Sequence, residues 1–590
     1  VVAVLALLGA AAIADAGVHL AATLDKTRAP SWNPLVAAIQ LAKGKRHIPH
    51  AAMFTVPALL LAGALVVVFL GSLWLGRRSA AGGGIGDRAA RLMASRRQVR
   101  PLTHKSVARV AERLGVSTPG LPVARSVISN ELLYATWEEM QVCVAGPRRF
   151  KTTAVAIPTV LAAPGACLST SNKPDLYVST RYTREQVGHP WNFDPAAIAG
   201  DGAAAWWWNP LSYLSLGTRP QKRAQELAGA FVDAYRHPAA KPDPFFDPKG
   251  EQLVANFLMA AWLDRRYLTD AHHWCTRPRD ETPAKILERH GRELPYASVM
   301  SEINAAPEQR SGIYGTAERI LQFLQETEIA AWISPQPAGR PEFDVAAFVR
   351  STDTLYLHSQ EGRGSEAGLV TAMTMAVCEH AVDLAKQSPG GRLAVPLVGM
   401  LDEACNICRW AALPALYSHY GSRGIPLNIL AQGWSQMREV WGENGVEQLW
   451  SAANVKTFGG GVDEEPFLRR LESLIGEYNR ATYSPSVSHG GGGQRGQRST
   501  SWQLTPTPIM PVAELRALAK EENFPTKRRP RPRPTCRGIV FASGVPPVLV
   551  KPEYWWLGSH AADVRRSQEL HDRPALPPAA AVNPWLTAAA

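Results

Sequence analysis

The stretch that most constrains the fold lies between residues 142 and 161. The apolar run Val142 to Ala145 passes directly into Gly146-Pro147-Arg148-Arg149-Phe150-Lys151-Thr152-Thr153, and that loop into the apolar segment Ala154 to Leu161. Strand, basic loop and helix in that order form a phosphate-binding P-loop and imply an α/β fold. Its chemistry is that of an anion nest. Backbone N–H groups and the positive end of the next helix surround phosphates, Lys151 reaches the terminal ones, and the Thr152 hydroxyl ligates magnesium. Residues Gly146, Pro147, Arg148, Arg149, Phe150, Lys151, Thr152 and Thr153 are therefore candidate contacts of ATP, with Thr152 a candidate ligand of Mg²⁺. The usual glycines are displaced. Counted back from Lys151, their positions hold Phe150 and Ala145, and counted from Gly146 the loop is one residue short. A side chain at Phe150 is expected to crowd the phosphates or to strain a backbone position that normally uses glycine's freedom. Arg148 and Arg149 read equally as charge aimed at phosphate or as solvated loop residues.

Two later segments complete a nucleotide site. Leu397-Val398-Gly399-Met400-Leu401-Asp402-Glu403 is an apolar run ending in two acids, the pattern of a buried strand with Asp402 at its carboxyl end beside the P-loop. Asp402 is expected to hold the Thr152–Mg²⁺ assembly through water, and Glu403 to orient or deprotonate the attacking water. Ile429-Leu430-Ala431-Gln432 is a second strand with a polar end. A glutamine there can donate to a γ-phosphate and position water, or simply cap the following helix.

Charge and hydropathy bound the partners. The net charge of +12 favours a polyanion, either nucleic acid or an anionic membrane surface. Seven cysteines without a regular framework read as free thiols, and Cys405 and Cys408, the one Cys-x-x-Cys pair, lack nearby partners for a metal site. Residues 51 to 76 run for about 26 positions without a charge, enough to cross roughly 30 Å of hydrocarbon as a helix. The first segment, Val1 to Leu24, is apolar only to Ala14 and reads as an imperfect or truncated span, with a signal peptide as its rival. Arg77, Arg78, Arg88, Arg91, Arg96, Arg97 and Arg100, against Asp87 alone, place the remainder in the cytoplasm.

Beyond a glycine-rich linker at 82 to 86, Val107 to Leu114 reads as a short helix and Ala166 to Thr170 as a strand. From 219 to 333 the pattern turns helical, with Ala224 to Tyr235, Glu251 to Leu268 and Gly315 to Trp332 as its clearest helices. Strands resume at Thr354 to Leu357, Leu393 to Leu401, Pro426 to Ala431 and Val455 to Gly459. Trp206-Trp207-Trp208 reads as a buried cluster under the helical segment rather than a base-stacking platform. Lys527 to Arg533 alternates proline with cations and reads as an extended linker, Gly490 to Gly493 as a surface loop, and the Ala- and Pro-rich end after Arg573 as disordered.

The order of these motifs resembles a known group. The P-loop, Asn209-Pro210-Leu211, the helical insertion, Leu401-Asp402-Glu403-Ala404-Cys405-Asn406-Ile407, Tyr420-Gly421-Ser422-Arg423-Gly424, Leu430-Ala431-Gln432 and Phe458-Gly459-Gly460 resemble the TraG/TraD group of type IV secretion coupling proteins over most of residues 130 to 556. High Ala, Arg, Gly and Pro content gives the chain an actinobacterial character. The resemblance implies a RecA-like P-loop ATPase domain in two parts, 106–215 and 346–560, with an inserted all-alpha domain at 216–345. It also implies an N-terminal transmembrane hairpin at 1–76, joined by a basic linker at 77–105, and a tail at 561–590. As a function it implies a multi-pass plasma-membrane protein, hexameric, binding ATP and Mg²⁺, that links relaxase-bound single-stranded DNA to the channel components of a conjugation system. Lys173 and Asp175 are kept in the strand-end pattern after the P-loop, whereas its first acid is lost at Ser171. The group's trans-acting arginine aligns with Gly421, and Arg423, two residues on, is its candidate substitute. The competing readings are an FtsK-type double-stranded DNA translocase and a membrane receptor whose P-loop has decayed.

Overall fold

The computed structural model describes residues 12–13, 16–27, 43, 50–59, 61, 85–200, 202–236, 241, 243–361, 366–487, 498–518 and 535–572. Much of the two expected spans, the 82–84 glycines, the 490–493 tract, the 527–533 basic run and the end after 573 lie outside them. Two compact units are present, Val1–Gly84 and Ile85–Ala590. In the first, the Thr55 hydroxyl donates to the Gly17 carbonyl at 2.8 Å, and a Cβ at Gly17 would stand 3.0 Å from the Val56 backbone, so two helical pieces meet through a small residue.

The second unit is built on one eleven-stranded sheet. Its strands are β1 (Leu121–Ser126), β2 (Leu132–Ala135), β3 (Gln141–Val144), β4 (Cys167–Ser171), β5 (Pro190–Phe193), β6 (Thr354–His358), β7 (Val398–Leu401), β8 (Leu427–Ala431), β9 (Val455–Phe458), β12 (Gly538–Ala542) and β13 (Val545–Lys551). A separate ribbon pairs β10 (Glu477–Val487) with β11 (Arg498–Pro508). The order is β2-β1-β13-β12-β9-β3-β8-β7-β4-β6-β5. From β9 to β5 every pairing is parallel, and from β9 back to β2 every pairing is antiparallel. The central strands β3, β4, β6, β7 and β8 are buried at every position, which is why none reads as apolar–polar alternation and β7 reads as a continuous apolar run.

Parallel pairing has a direct consequence for chemistry. Residues that follow β3, β4, β6, β7 and β8 all emerge at the same edge of the sheet, where ligands of open α/β sheets bind. The Asp402 strand is not the neighbour of the P-loop strand, because β8 lies between them. β7 is also shorter than the expected strand from Leu393. Pro396 cannot donate to a ladder, and Leu393 and Leu397 instead give their N–H groups to the Arg423 and Gly424 carbonyls.

Between β5 and β6 the chain is helical, with no strand among the described residues. Its helices include Pro220–Tyr235, Phe246–Leu263, Leu268–Cys275, Thr282–Arg289, Glu293–Ile303, Pro307–Ile320 and Thr327–Trp332. The Phe246–Leu263 helix is buried nearly all round from Leu253 onward and forms the axis of this bundle. All three residues Trp206, Trp207 and Trp208 are buried, and the Trp206 ring meets Trp191, Trp332 and Phe343 within 5.6 Å, centroid to centroid. The tryptophans thus seal the return of the chain from bundle to sheet. Among the described residues one helix, Ala367–Gln387, is long and apolar enough to cross a membrane, and it is buried within this unit as a core helix.

Candidate functional site

The P-loop leaves β3 at Val144 and turns immediately. Gly146 gives its N–H to the Gly460 carbonyl at 2.9 Å, and a Cβ at Gly146 would stand 2.0 Å from the Gly461 oxygen, so only glycine fits there. The left-handed residue of the loop is Arg148, at φ 53°, and not Phe150, at φ −49°. Phe150 therefore does not call on glycine's left-handed freedom. Its side chain is buried, and its ring lies where a Cβ added to Gly459 or Gly538 would meet it at 3.0 and 3.4 Å. The expected crowding is corrected by this geometry: the ring packs against β9 and β12. Arg149 also turns inward, contrary to both readings offered for it. Its guanidinium donates to the Leu518 carbonyl at 3.2 Å and lies against Gly460 and Gly461, while Pro147 and Arg148 are exposed.

Lys151 opens a helix whose first stretch, Lys151–Ala156, is a π-helix before Ile157–Ala162 continues as α. Such turns concentrate at functional sites. The Lys151 ammonium folds back on the loop, donating to the Ala145 carbonyl at 2.6 Å and to that of Gly146 at 2.9 Å. Burial lowers its pKa, partly offset by Cys143, Glu403 and Asp402. The Thr152 hydroxyl donates to Asp402 Oδ2 at 3.4 Å, a direct contact between the two residues expected to share a cation. Thr153 follows on the same turn, half-buried.

Asp402 is fully enclosed. Burial, reinforced by the neighbouring Glu403, pushes its pKa up to about 7, against the opposing pull of Lys151, the Glu403 N–H and Thr152. Glu403 sits in the left-handed region at φ 53°, ψ 34°, a strained position for a residue with a side chain. That strain holds the carboxylate out toward Gln432, whose amide Nε2 donates to both Glu403 oxygens at 2.8 Å. Lys151, Thr152, Asp402, Glu403 and Gln432 are thus brought together at the carboxyl edge of β3, β7 and β8.

Arg423 is not. It ends the Leu413–Ser422 helix at the amino end of β8, bonded to His419 Nε2 at 3.0 Å, whereas Gln432 follows that strand's carboxyl end. Within one chain it cannot serve the same phosphate. Gly421, the aligned arginine position, could not carry a side chain without displacing its neighbour, since a Cβ would stand 2.4 Å from the Glu138 carbonyl oxygen. Cys405 and Cys408 are buried thiols whose pKa values burial raises, and no metal-binding cluster is found among the described residues.

Three residues were missed by sequence reasoning. Asn406 donates to Glu403 Oε2 at 3.3 Å and to Glu361 Oε1 at 2.6 Å, and Gln436 donates to Asn406 Oδ1 at 2.6 Å. Asn406 lay within the quoted acid motif, but nothing in one dimension couples it to Glu361 or Gln436.

A basic loop on the central parallel strand, an acid pair two strands away and a glutamine on the strand between them define a P-loop ATPase fold. Comparison with known proteins then narrows the class. Residues 396–520 match the family model described as the TraM recognition site of TraD and TraG. The conjugative coupling protein TrwB, lacking its first 70 residues and unbound, is 12% identical, with a TM-score of 0.48 over 77% of this chain and 91% of that one. TrwB in complex with ADP and Mg²⁺ is 12% identical, at 0.49 over 77% and 93%. VirB4 of Thermoanaerobacter pseudethanolicus is 13% identical, at 0.35 over 60% and 87%. Among curated proteins none matches the chain. At these TM-scores the fold is read from the strand order itself. The family match covers residues 396–520, which include Asp402, Glu403 and Gln432, and marks that segment as similar to TraG/TraD-type coupling proteins.

Proposed function

We propose that this chain is the ATP-driven coupling protein of a conjugative type IV secretion system. Anchored in the cell membrane by its N-terminal spans, with the ATPase part in the cytoplasm, it recruits relaxase-bound single-stranded DNA to the channel and helps translocate it as a homohexamer. The observation that carries this reading is the convergence of Lys151, Thr152, Asp402, Glu403 and Gln432 at one sheet edge in a chain with a TraG/TraD match.

The residues fit ATP and Mg²⁺. The loop from Gly146 to Thr153 is closed from behind by Gly460 and Gly461, and the Thr152 and Asp402 oxygens are hard donors suited to a hard cation. Bound ATP would supply the phosphoanhydride whose cleavage drives movement, and Mg²⁺, held by Thr152 and Asp402, would neutralise charge on its phosphates. Lys151 exchanges the Ala145 and Gly146 carbonyls for phosphate oxygens. Gln432 leaves Glu403 for the γ-phosphate, and Glu403, freed of that donor, orients water and takes its proton. Arg423 acts from the neighbouring subunit, a contribution worth about 10³- to 10⁵-fold in hydrolysis when an arginine is supplied in trans. The alternative of a non-hydrolysing receptor drew on Phe150, and the burial of that ring against β9 and β12 weighs against it.

The test is ATP hydrolysis by the full chain in lipid nanodiscs with single-stranded or duplex DNA at two salt concentrations. Single strands accelerate turnover, salt weakens the effect through lost phosphate contacts, and Lys151→Ala lowers it about a hundredfold or more. Stimulation by duplex alone would move the reading to an FtsK-type translocase. No turnover with either would overturn it.

A further inference from the structure

Four side chains at the sheet edge close a ring of hydrogen bonds around the hydrolytic pair. Gln432 Nε2 donates to Glu403, the Gln432 backbone N–H donates to Gln436 Oε1 at 3.1 Å, Gln436 Nε2 donates to Asn406 Oδ1 at 2.6 Å, and Asn406 Nδ2 donates back to Glu403 Oε2 at 3.3 Å. The ring draws on three elements: the end of β8, the Trp434–Ala452 helix and the one-turn Ala404–Ile407 helix.

Its direction is fixed by chemistry. A backbone N–H can only donate, so the Gln436 carbonyl oxygen must face it and the Gln436 amide nitrogen must face Asn406. That leaves Asn406 Oδ1 as acceptor and turns its NH₂ toward two carboxylates, Glu403 and Glu361. Glu361 is held in turn by Asn172 Nδ2 at 2.5 Å, so the chain of bonds runs on to the residues that follow β6 and β4. Each group accepts or donates as its neighbour requires, with no free choice of amide orientation.

From this geometry we infer that Asn406 is the positioning residue of the hydrolytic glutamate, with Gln436 fixing its polarity. The inference rests on the ATP-hydrolysing reading above. When Gln432 turns to phosphate, Asn406 is the side-chain donor that remains on Glu403 among the described residues. It then holds a carboxylate whose backbone is already strained, and keeps it facing the water instead of swinging free. Glu361 anchors Asn406 from the far side and so sets how tightly the glutamate is held.

The decisive variant is Asn406→Asp, which keeps size and replaces the donor with an acceptor facing two carboxylates. ATP turnover and binding of a fluorescent ATP analogue are measured on the full chain in nanodiscs, with thermal unfolding as the check on folding. The inference predicts that kcat falls about tenfold or more while the analogue's Kd changes less than about threefold, since Asn406 touches Glu403 and no P-loop residue. Adding Glu361→Gln recovers part of the lost kcat, because the new amide donates to the introduced carboxylate. Asn406→Ala, which removes the bridge without adding charge, gives a smaller fall in kcat with Kd again unchanged. A kcat within about twofold of the parent in both Asn406 variants, or a Kd weakened in proportion to kcat, overturns the role. A parent chain that does not hydrolyse ATP at all overturns the functional reading first and this inference with it. An active parent with unaffected Asn406 variants overturns this inference alone.

Discussion

The loop at 145–153 and the strand end at 401–406 meet through Thr152 and Asp402, and they are held by opposite means. The loop has lost its usual glycines and is supported from behind. Phe150 fills space against Gly459 and Gly538, and Arg149 reaches past Gly460 and Gly461 to the Leu518 carbonyl. The glycines that leave room for these side chains lie on β12 and just after β9. The acid end keeps its motif but is strained at Glu403 and braced by polar side chains in front, Gln432, Asn406 and Gln436. One half of the site is therefore fixed by packing and the other by hydrogen bonds. Changes to the first should be felt as stability, and changes to the second as turnover.

The largest expected effect tests the second half. Glu403→Gln should lower kcat about a thousandfold, near 4 kcal/mol, while leaving the melting temperature and ATP affinity close to those of the parent, because an amide can neither take the proton nor lose the fold's packing. In the first half, Phe150→Ala should cost about 3 to 4 kcal/mol in denaturant unfolding, since it empties a buried aromatic site between two glycines that cannot fill it. Gly459→Ala attacks the same contact from the other side. Its Cβ would stand 2.5 Å from that of Ala145 and 3.0 Å from the Phe150 ring, so it should destabilise by about 2 kcal/mol, and Phe150→Leu in the same chain should recover part of that.

The smallest effect is a pH dependence. Asp402 has a folded pKa of about 7 against an ordinary 3.8, so its neutral form is the one the folded state prefers. Its contribution to stability is complete below 3.8 and is lost as pH rises through about 7. Asp402→Asn, without nucleotide or metal, should be more stable than the parent at pH 8 by about 1 to 2 kcal/mol, with the difference shrinking toward pH 4. A difference that grows as pH falls would show that Asp402 is stabilised as the anion instead.

Much of this site was legible because its parts lie where buried strands end. Lys151, Asp402, Glu403 and Gln432 each follow an apolar run, and a fully buried parallel strand writes itself as such a run. The helical insertion and the tryptophan cluster were legible for the same reason, strong periodicity and large apolar area. The fate of Phe150 was not. It depends on Gly459 and Gly538, which lie more than 300 positions away in sequence, and the loop alone gives no hint that its ring has somewhere to go. The insertion of β8 between the P-loop strand and the acid strand is likewise a matter of pairing, not of local pattern. The antiparallel strands β1 and β13 escaped notice because Pro122, Pro546 and Pro547 interrupt their patterns, and the edge strand β2 because it is only four residues long. Asn406 stood in a quoted motif, but its partners Glu361 and Gln436 come from other elements.

The proposed motor requires Phe150 to belong to a working P-loop supported from β9 and β12. It is tested most directly by DNA-stimulated ATP hydrolysis of the full chain beside its Phe150→Gly variant. The parent is expected to turn over ATP, and restoring the glycine to give no faster enzyme and a less stable one. A parent without turnover and a Phe150→Gly variant that hydrolyses ATP would contradict it.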